Sequence, residues 1–399
     1  MILRLTLMHN FWYIDRMRLL FVADGRSPIA QNWIRHFSEQ GVETHLVSTY
    51  ACAPDFRLDS LQVIPVAFSG RARGGQAAGR SPKRALGLVS AVRHWLGPLT
   101  VSRASAGLRR RIQELQPDLV HAMRIPYEGM LAADGYAGVP LLVSVWGNDF
   151  TFHARSNGLM GHYTSWTMQV ADALHADCQR DIRLGKQWGF HGDRPTLVIP
   201  GNGGIRTDIF RLPEQPVEAP VVINPRGFRT YVRNDVFFRA IPQVLARCPE
   251  AKFLCVGMAG EPQAEEWTHN LGIEEAVELL PAVPYAEMAK LFQRAQVVAS
   301  ISIHDGTPNT LLEGMACGCL PVAGNLESIR EWIRPGKNGL LVDPNDAASV
   351  ASGLLQALEN KSLRQEAAGL NQKIILERGE YARCMAAAEQ LYQRVIASR

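Results

Sequence analysis

The sequence predicts an α/β protein with two domains, and three observations favour this fold class. The chain has 399 residues, which is too long for one typical hydrophobic core. Short apolar or β-branched runs alternate with helical segments along its whole length, the pattern of parallel α/β domains. A segment rich in proline and acidic residues, 210–220, separates two such regions, and we interpret it as a linker.

The first predicted domain comprises residues 17–209. Its first strand is 19–23, after which Ser27 is suited to cap a helix that begins with Pro28. Later strands of the same sheet are predicted at 119–121, 141–145 and 196–199.

The second predicted domain comprises residues 221–375, with strands at 221–223, 253–257 and 297–300. A final helical segment, 376–399, closes the chain. Residues 1–16 are apolar and aromatic, yet Arg4, His9 and Asp15 interrupt them, and no small-residue cleavage site follows. We interpret this N-terminal extension as a product of an upstream start codon rather than a signal peptide.

Composition narrows the functional class. Hydrophobic residues make up 47% of the chain and charged residues 20%, as in ordinary globular proteins. The seven cysteines form no C-x-x-C pair and no Cys/His spacing typical of zinc, so we expect a reducing cytoplasm and no metal. The sequence contains no run of eighteen apolar residues, so it predicts no membrane span.

The most informative segment is 302–318, SIHDGTPNTLLEGMACG. Thr307 is suited to the N-cap of a helix and Pro308 to its first position. The free amides of Asn309, Thr310 and Leu311 would then form an anion site at the helix N-terminus, beside Gly306. Two carboxylates flank these amides, one in the loop and one in the helix. The pattern suits a phosphorylated, polyhydroxylated ligand such as a nucleotide sugar.

This segment resembles the signature of the family 4 retaining glycosyltransferases, S-x-x-E-G-x-P-x-x-L-L-E-A-M-A-C-G, and the similarity continues to residue 342. The resemblance implies the GT-B fold, in which two Rossmann-like domains with parallel sheets face each other across a cleft. In relatives with this fold the last helix crosses back to the N-terminal domain, and we expect the segment 376–399 to do the same. It also implies that Asp305, which replaces the family's first glutamate, contacts the donor sugar. Glu313 would contact the ribose.

The resemblance implies further donor contacts. Arg226 and Arg233 would bind the donor diphosphate and stabilise the leaving group without a metal or other cofactor, and Arg229 is suited to either role. The loop containing Gly25 would lie near the donor phosphates. It is not G-x-G-x-x-G, which argues against a dinucleotide site. Backbone groups at Gly257 would hold the base.

Two residues are predicted on the acceptor side. His121 ends a predicted strand where the family often has His-x-His, although Met123 occupies the second histidine position. Asp149 follows a predicted strand at the place where relatives have an acidic residue near the acceptor. A structural histidine and a helix-capping aspartate are the alternatives at these two positions.

Positive charge is concentrated in one stretch. After Asp59, residues 60–113 contain no acidic residue, while ten Arg and Lys occur from 71 to 111. The net charge of the whole chain is nevertheless only +4. Apolar residues such as Trp95 are interleaved with them. We expect residues 71–111 to bind an anionic membrane surface or a lipid diphosphate, with a solvated basic loop or an acidic protein partner as alternatives. No motif for nucleic acid accompanies this charge.

Taken together, the sequence predicts a metal-independent retaining glycosyltransferase of the hexosyltransferase type, which transfers a sugar from a nucleotide diphosphate sugar. The expected acceptor is a lipid-linked or cell-surface glycan precursor of polysaccharide biosynthesis, at the cytoplasmic face of the cell membrane. A nucleotide-sugar epimerase or phosphorylase on the same fold, or a non-catalytic sugar-nucleotide-binding protein, remain alternatives.

Overall fold

The computed structural model describes residues 17–67, 69 and 97–398, which form two compact units. The first unit comprises the residues up to Gly203 together with those from Met385 onward, and the second unit is Gly204–Cys384. This division lies upstream of the linker predicted at 210–220. The reason is that Ile205 and Phe210 are already buried in the hydrophobic core of the second unit.

The first unit is built on one seven-stranded sheet in which every neighbouring pair is parallel. Its strands are β1 (Arg18–Ala23), β2 (Glu43–Ser48), β3 (Ser60–Val63), β4 (Leu119–Ala122), β5 (Leu141–Val145), β6 (Ala173–Ala176) and β7 (Thr196–Val198). Their order in the sheet is β3-β2-β1-β4-β5-β6-β7. The direction of winding therefore reverses between β1 and β4, and such a switch point is where open α/β sheets bind ligands.

Five helices accompany this sheet in the described part of the first unit. They are α1 (Pro28–Glu39), α2 (Val101–Leu115), α3 (Met130–Asp134), α4 (Gly158–Val170) and α5 (Gln179–Gln187). The start of α1 was predicted correctly, since the Ser27 hydroxyl accepts a hydrogen bond from the Ala30 amide at 3.4 Å and Pro28 follows it.

The second unit contains a six-stranded sheet, again with only parallel neighbours. Its strands are β8 (Val221–Asn224), β9 (Lys252–Val256), β10 (Val277–Leu280), β11 (Val297–Ser300), β12 (Leu320–Gly324) and β13 (Leu340–Val342). Their order is β10-β9-β8-β11-β12-β13, so the winding reverses between β8 and β11. Within each sheet, the carboxyl ends of the strands and the loops that follow them thus lie at one edge of that sheet.

The helices of the second unit are α6 (Asn234–Leu245), α7 (Pro262–Leu271), α8 (Tyr285–Phe292), α9 (Asn309–Ala316), α10 (Ala347–Glu359) and α11 (Lys361–Arg378). The last helix, α12 (Tyr381–Ala397), starts in the second unit, and from Met385 it belongs to the first. None of the helices in the described ranges combines the length and the apolar character needed to cross a bilayer.

A buried chain of hydrogen bonds attaches α12 to the sheet of the first unit. The Trp33 indole donates to the Tyr392 hydroxyl at 2.8 Å, and that hydroxyl meets Nδ1 of His121 at 2.6 Å. The other ring nitrogen of His121 lies 2.7 Å from Ser144 Oγ, which in turn lies 2.8 Å from Nδ1 of His175. One row of side chains therefore connects α1, α12, β4, β5 and β6.

The direction of every bond in this row follows from its last acceptor. His175 Nε2 lies 3.1 Å from the carbonyl oxygen of Ile199, which can only accept, so His175 must be protonated at Nε2 and unprotonated at Nδ1. Ser144 therefore donates to His175 and accepts from Nε2 of His121. The Tyr392 hydroxyl then donates to His121 and accepts from the indole. Each group is neutral, and each polar atom of the row has a partner.

Burial keeps both histidines uncharged. It lowers the pKa of His175 to about 4, although the hydrogen bond to Ile199 acts in the opposite direction. Burial also lowers the pKa of His121 well below its usual value, and nearby His175 adds to this effect. In the unfolded chain these rings gain protons below about pH 6.5. The free energy of unfolding contributed by this pair therefore falls as the pH drops from about 6.5 to 4.

Replacing Tyr392 with phenylalanine should destabilise the protein. The Tyr392→Phe variant keeps the stacking of this ring on Phe37, at 4.6 Å between centroids, but leaves the Trp33 indole and Nδ1 of His121 without their partner. We expect the free energy of unfolding to fall by about 1–3 kcal/mol in urea denaturation at pH 7. The control is Tyr163→Phe, which removes an exposed hydroxyl bonded to Ser102 at 3.0 Å. Equal stability of the two variants would contradict the network.

Candidate active site

The anion site at the start of α9 differs by one residue from the prediction. The helix begins at Asn309, so Pro308 rather than Thr307 is the N-cap residue, and no side chain caps it. The Thr307 hydroxyl instead accepts a hydrogen bond from the indole of buried Trp332 at 2.9 Å. Thr307 therefore fixes the loop against the core of the second unit.

The set of free amides shifts with the helix start. The Leu311 amide donates to the Pro308 carbonyl at 3.0 Å, so it is not available to an anion as predicted. The amides of Asn309 and Thr310 open the helix and by its geometry have no intrahelical acceptor. These two N–H groups, together with the positive end of the helix dipole, retain the capacity to bind a phosphate or carboxylate.

Several polar side-chain atoms around this helix start are buried without a hydrogen-bond partner among the described residues. They are Oγ of Ser302, Oδ1 of Asn309 and Oγ1 of Thr310. Ser302 follows β11, and the other two side chains are in the first turn of α9. Because buried polar atoms are nearly always satisfied, these atoms indicate a place for a polar ligand or for water.

Asp305 is paired with one of the predicted arginines. The Arg226 guanidinium lies 2.7 Å from Asp305 Oδ2, and both side chains are largely buried, at 11% and 13% exposure. Arg226 follows β8 and Asp305 follows β11, the two strands between which the winding of this sheet reverses. The structure therefore brings these two predicted residues together at the edge where ligands bind in such sheets.

The other two arginines lie differently. Arg233 precedes α6 and forms a two-bond ion pair with Asp235, each contact measuring 2.9 Å, and it also donates to the side chain of Asn345. Its pKa is raised chiefly by the hydrogen bond with Asp235. Arg229 is exposed, and its guanidinium donates to the carbonyl of Phe228. Of the three, Arg226 is the one paired with an acid of the predicted couple.

Glu313 lies in the second turn of α9 with only 4% of its surface exposed. Burial raises the pKa of Glu313 to about 8, and a hydrogen bond from the Tyr285 hydroxyl partly opposes this shift. The two acids of the predicted couple therefore have different electrostatic environments, since Asp305 has a cationic partner and Glu313 has a neutral one. Burial thus favours the protonated form of the Glu313 side chain.

Glycines line the neighbouring strand ends of the second unit. Gly257 follows β9 with φ of +73°, and Gly227, in the loop after β8, has φ of +57°. Such backbone angles favour glycine. The two residues approach each other closely, because a Cβ added to Gly257 would lie 3.6 Å from the Cα of Gly227. This leaves backbone groups rather than side chains facing the space above β8 and β9.

In the first unit, the loop after β1 contains Gly25. Its amide donates to Ser48 Oγ at 3.0 Å, and an added Cβ would lie 2.4 Å from the sulfur of Cys52. Glycine is thus required at this position for close packing. The adjacent Arg26 forms an ion pair with Asp24 at 2.9 Å, and its guanidinium lies over a tyrosine ring at 3.4 Å from the centroid.

A buried acid that the sequence analysis did not select lies at the same edge. Glu128, in the loop after β4, accepts a hydrogen bond from the Thr49 hydroxyl at 2.6 Å. Burial raises the pKa of Glu128 to about 7, while Thr49 and Arg124 act in the opposite direction. The preceding residue, Tyr127, has φ of +70°, which is rare for a non-glycine residue. Strain of this kind is often found at functional sites.

Asp149 and His121 are both buried in the first unit. Asp149 accepts hydrogen bonds from Arg124 Nε at 2.9 Å and from the amides of Ile125 and Trp146. It therefore joins the loops after β4 and β5. His121 has both ring nitrogens occupied in the hydrogen-bonded row described above. Burial with these partners favours the structural alternative at both positions, and the acceptor contacts stay predictions.

One group of potential metal ligands occurs in the described part of the chain. Ligand atoms of Asp177, Cys178 and Asp181 lie within 4.8 Å of one another. However, Arg180 forms a two-bond ion pair with Asp181, and the Cys178 thiol donates to the same carboxylate at 3.2 Å. Burial raises the pKa of the Cys178 thiol well above its usual value. The arrangement favours an internal ion pair over a bound cation.

Three side chains of these sites were not predicted from the sequence: Arg124, Glu128 and Tyr285. Arg124 and Glu128 directly follow a predicted strand, and polar residues at that position were a signal that could have been used. Tyr285 is the first residue of α8, on a different element from Glu313. No spacing in the sequence relates these two residues, and only the packing of α8 beside α9 brings them together.

Comparison with known proteins defines the class. The model of the glycosyl transferases group 1 matches residues 206–373, and that of the glycosyl transferase 4-like domain matches residues 25–201. The chain belongs to the group 1 glycosyltransferase family. The two parallel sheets and the solved structures to which the chain is similar confirm the predicted GT-B fold class.

Individual curated relatives match about half of this chain. The chain is 27% identical over 213 residues to the D-inositol 3-phosphate glycosyltransferase of Thermobispora bispora, covering 48% of this chain and 49% of the relative. The corresponding enzyme of Corynebacterium diphtheriae is 30% identical over 219 residues, covering 53% and 48%. The chain thus spans about half the length of the curated relatives it matches.

Similar solved structures cover nearly the whole chain. Sucrose-phosphate synthase from Thermosynechococcus elongatus has a TM-score of 0.74 at 14% identity, covering 96% of this chain and 100% of that one. Anabaena HepE in complex with UDP-glucose has a TM-score of 0.72 at 16% identity, with coverages of 96% and 100%. At these identities, the likeness shows a shared fold.

The structural role of Asp149 can be tested by Asp149→Asn. An amide cannot balance the charge of Arg124, and its NH2 group would face backbone N–H donors. Because Arg124 is partly exposed, we expect a loss of about 1–3 kcal/mol in the free energy of unfolding, measured by denaturant titration. The control is Asp55→Asn, which alters an exposed ion pair with Arg35. Asp172→Asn would not serve, because the Asp172 carboxylate also accepts a hydrogen bond from a backbone amide. A loss no larger than that of Asp55→Asn would contradict the assignment.

Proposed function

We propose that this protein is a retaining glycosyltransferase that transfers a hexose from a nucleotide diphosphate sugar to a hydroxyl group of an acceptor. The observation that carries the proposal is the group formed by Arg226, Asp305 and the start of α9, with Glu313 one turn further on. A cation, two free amides and two acids in different electrostatic environments suit a ligand that combines phosphates with hydroxyl groups.

Each part of this group has a proposed role toward the donor. Arg226 and the amides of Asn309 and Thr310 bind the diphosphate and stabilise the negative charge that develops on the leaving nucleotide. Asp305 contacts hydroxyls of the transferred sugar, and Glu313 contacts the ribose. Arg233, which pairs with Asp235, is the second cation proposed to bind the diphosphate.

The proposed chemistry needs no metal and no organic cofactor. The acceptor hydroxyl attacks the anomeric carbon on the face from which the nucleotide departs, so the C–O bond to phosphate breaks while the new glycosidic bond forms. The departing phosphate oxygen accepts the proton of the attacking hydroxyl. Charge stabilisation by Arg226 replaces the role that a divalent cation would otherwise have at the diphosphate.

For the acceptor we propose a lipid-linked or cell-surface glycan precursor, bound by the first unit near the loops after β1 and β4. The support is the set of polar side chains at this switch point, Asp24, Arg26, Arg124 and Glu128. The named relatives act on D-inositol 3-phosphate, which makes this compound a suitable first acceptor to assay.

We further propose that the protein works in the cytoplasm, attached to the inner face of the cell membrane. Of the basic stretch, residues 71–96 lie outside the described residues, whereas its last four arginines are on α2. Arg109 and Arg111 contact Asp134 and Glu114, while Arg103 and Arg110 extend from the exposed face. Exposed Leu99 precedes the same helix. Positive charge beside an exposed apolar residue is suited to an anionic bilayer.

The donor site can be tested with purified protein and a series of nucleoside diphosphates and their sugars, beginning with UDP and UDP-glucose. We expect one donor to raise the melting temperature selectively, because ligand binding stabilises the folded state. The Arg226→Ala and Glu313→Ala variants should lose about 10²–10³ in kcat, since each removes a group that acts on the donor.

Arg239→Ala is the matched control for these two variants, because Arg239 is exposed and pairs only with Asp235 among the contacts described. Wild-type turnover by Arg226→Ala or Glu313→Ala would refute the corresponding assignment. Stabilisation by none of the nucleotide sugars would refute the proposed donor class.

Membrane attachment can be tested by sedimentation with vesicles. We expect binding to phosphatidylglycerol vesicles and little binding to phosphatidylcholine. Because each basic residue near such a surface contributes about 1 kcal/mol, the double variant Arg103→Glu, Arg110→Glu should bind at least about tenfold more weakly. The control reverses two exposed charges of the second unit, Arg294→Glu and Lys337→Glu. Equal binding by both double variants would exclude this face of α2.

A further inference from the structure

A strained turn follows β4 in the first unit. The turn, Ile125–Gly129, is closed by the Gly129 amide, which donates to the carbonyl of Arg124 at 2.7 Å. Inside it, Tyr127 has φ of +70°, and its side chain is buried against Gly97, where an added Cβ would lie 3.0 Å from the tyrosine hydroxyl. The next residue is the acid Glu128. A backbone held in this sparsely populated conformation is a common feature of functional sites.

Hydrogen bonds on both sides fix this turn to neighbouring loops. Before it, Arg124 donates to the carboxylate of Asp149, in the loop after β5, at 2.9 Å. Near its end, the Glu128 carboxyl accepts a hydrogen bond from the hydroxyl of Thr49 at 2.6 Å. Thr49 directly follows β2, and its amide donates to the carbonyl of Ala23, the last residue of β1, at 2.9 Å. The Glu128 carboxyl therefore lies at the carboxyl edge of the sheet, near the point where the winding reverses.

Glu128 is buried without a paired cation. It is 5% exposed, and none of the ion pairs formed by residues 17–67 and 97–398 includes it. The charged groups around it are paired with one another instead: Arg26 with Asp24 in the loop after β1, and Arg124 with Asp149, each at 2.9 Å. Burying a carboxyl in this way lowers the stability of the fold, and such a cost is typical of an acid that serves a ligand.

We propose that Glu128 binds the acceptor by accepting a hydrogen bond from one of its hydroxyl groups, and that Thr49 is a positioning residue for this carboxylate. The inference rests on the proposed function, in which the acceptor binds near the loops after β1 and β4. A carboxylate has about four acceptor sites, so it can accept from Thr49 and from a ligand at the same time. Because an acid repels anions, the part of the acceptor that binds here is a neutral polyol or sugar ring rather than a phosphate.

The first test compares the melting temperatures of the full-length wild type and Glu128→Gln between pH 4.5 and 8. The amide oxygen can still accept from Thr49, so the substitution removes only the ionisation. Burial raises the pKa of Glu128 from 4.5 in the unfolded chain to about 7, so the wild type loses stability as the pH rises through this window. We expect nearly equal melting temperatures at pH 4.5 and a value about 2–4 °C higher for the variant at pH 8. A variant that melts below the wild type at pH 8 would identify a structural acid and overturn the inference.

The second test measures glucose transfer from UDP-glucose to D-inositol 3-phosphate, the compound in the names of the curated relatives. Glu128→Gln should lower kcat/KM for this acceptor by about tenfold and leave UDP affinity unchanged, since a hydrogen bond to a charged group is lost on the acceptor side alone. In the wild type, kcat/KM should rise with pH through about 7. Thr49→Val removes a hydrogen bond that favours the carboxylate, so it should move this rise to higher pH.

Glu114→Gln is the control, because Glu114 is an exposed acid of α2 that pairs with Arg111 at 3.2 Å. It should change neither the pH dependence of stability nor the transfer rate. Wild-type kcat/KM in Glu128→Gln, or weakened UDP binding, would overturn this inference and leave the donor proposal intact. Where the wild type binds a nucleotide sugar but transfers nothing to D-inositol 3-phosphate, the stability comparison decides. Absence of nucleotide-sugar binding by the wild type would overturn the donor proposal itself.

Discussion

The parallel pairing of strands is the constraint on which both candidate sites depend. Parallel neighbours require a crossover after each strand. The carboxyl ends of all strands in a sheet, and the loops that follow them, therefore lie at one edge of that sheet. Each sheet reverses its winding once, between β1 and β4 or between β8 and β11. Side chains more than seventy residues apart, such as Arg226 and Asp305, meet at these points. The chemistry of each unit is therefore concentrated where its topology changes.

Within the donor site, burial and charge pairing give two similar side chains different properties. Asp305 is paired with the Arg226 guanidinium at 2.7 Å. Glu313 is surrounded by the core, and this burial raises its pKa to about 8, while Tyr285 acts in the opposite direction. This difference suits an acid that meets the sugar beside a diphosphate and another that accepts from a ribose.

The buried row from Trp33 to His175 shows how polar residues can specify the docking of a helix. Every member is neutral and has a partner, so the row avoids the cost of unsatisfied polar groups in the core. Because each bond direction is fixed by the next, removing Tyr392 disturbs more than one contact. This row also occupies both ring nitrogens of His121, which favours the structural alternative for that residue.

The sequence by itself determined the fold class, seven of the thirteen strands, the capped start of α1 and the loop-plus-helix segment around Asp305 and Glu313. These features depend on local periodicity and on short motifs, which are contiguous in the chain. Tertiary structure alone decided which arginine pairs with Asp305, that Pro308 rather than Thr307 precedes α9, and that His121 and Asp149 are internal. It also revealed Glu128 and the contact between Tyr285 and Glu313. The physical reason is that burial and pairing depend on elements distant in sequence, whose approach no local pattern encodes.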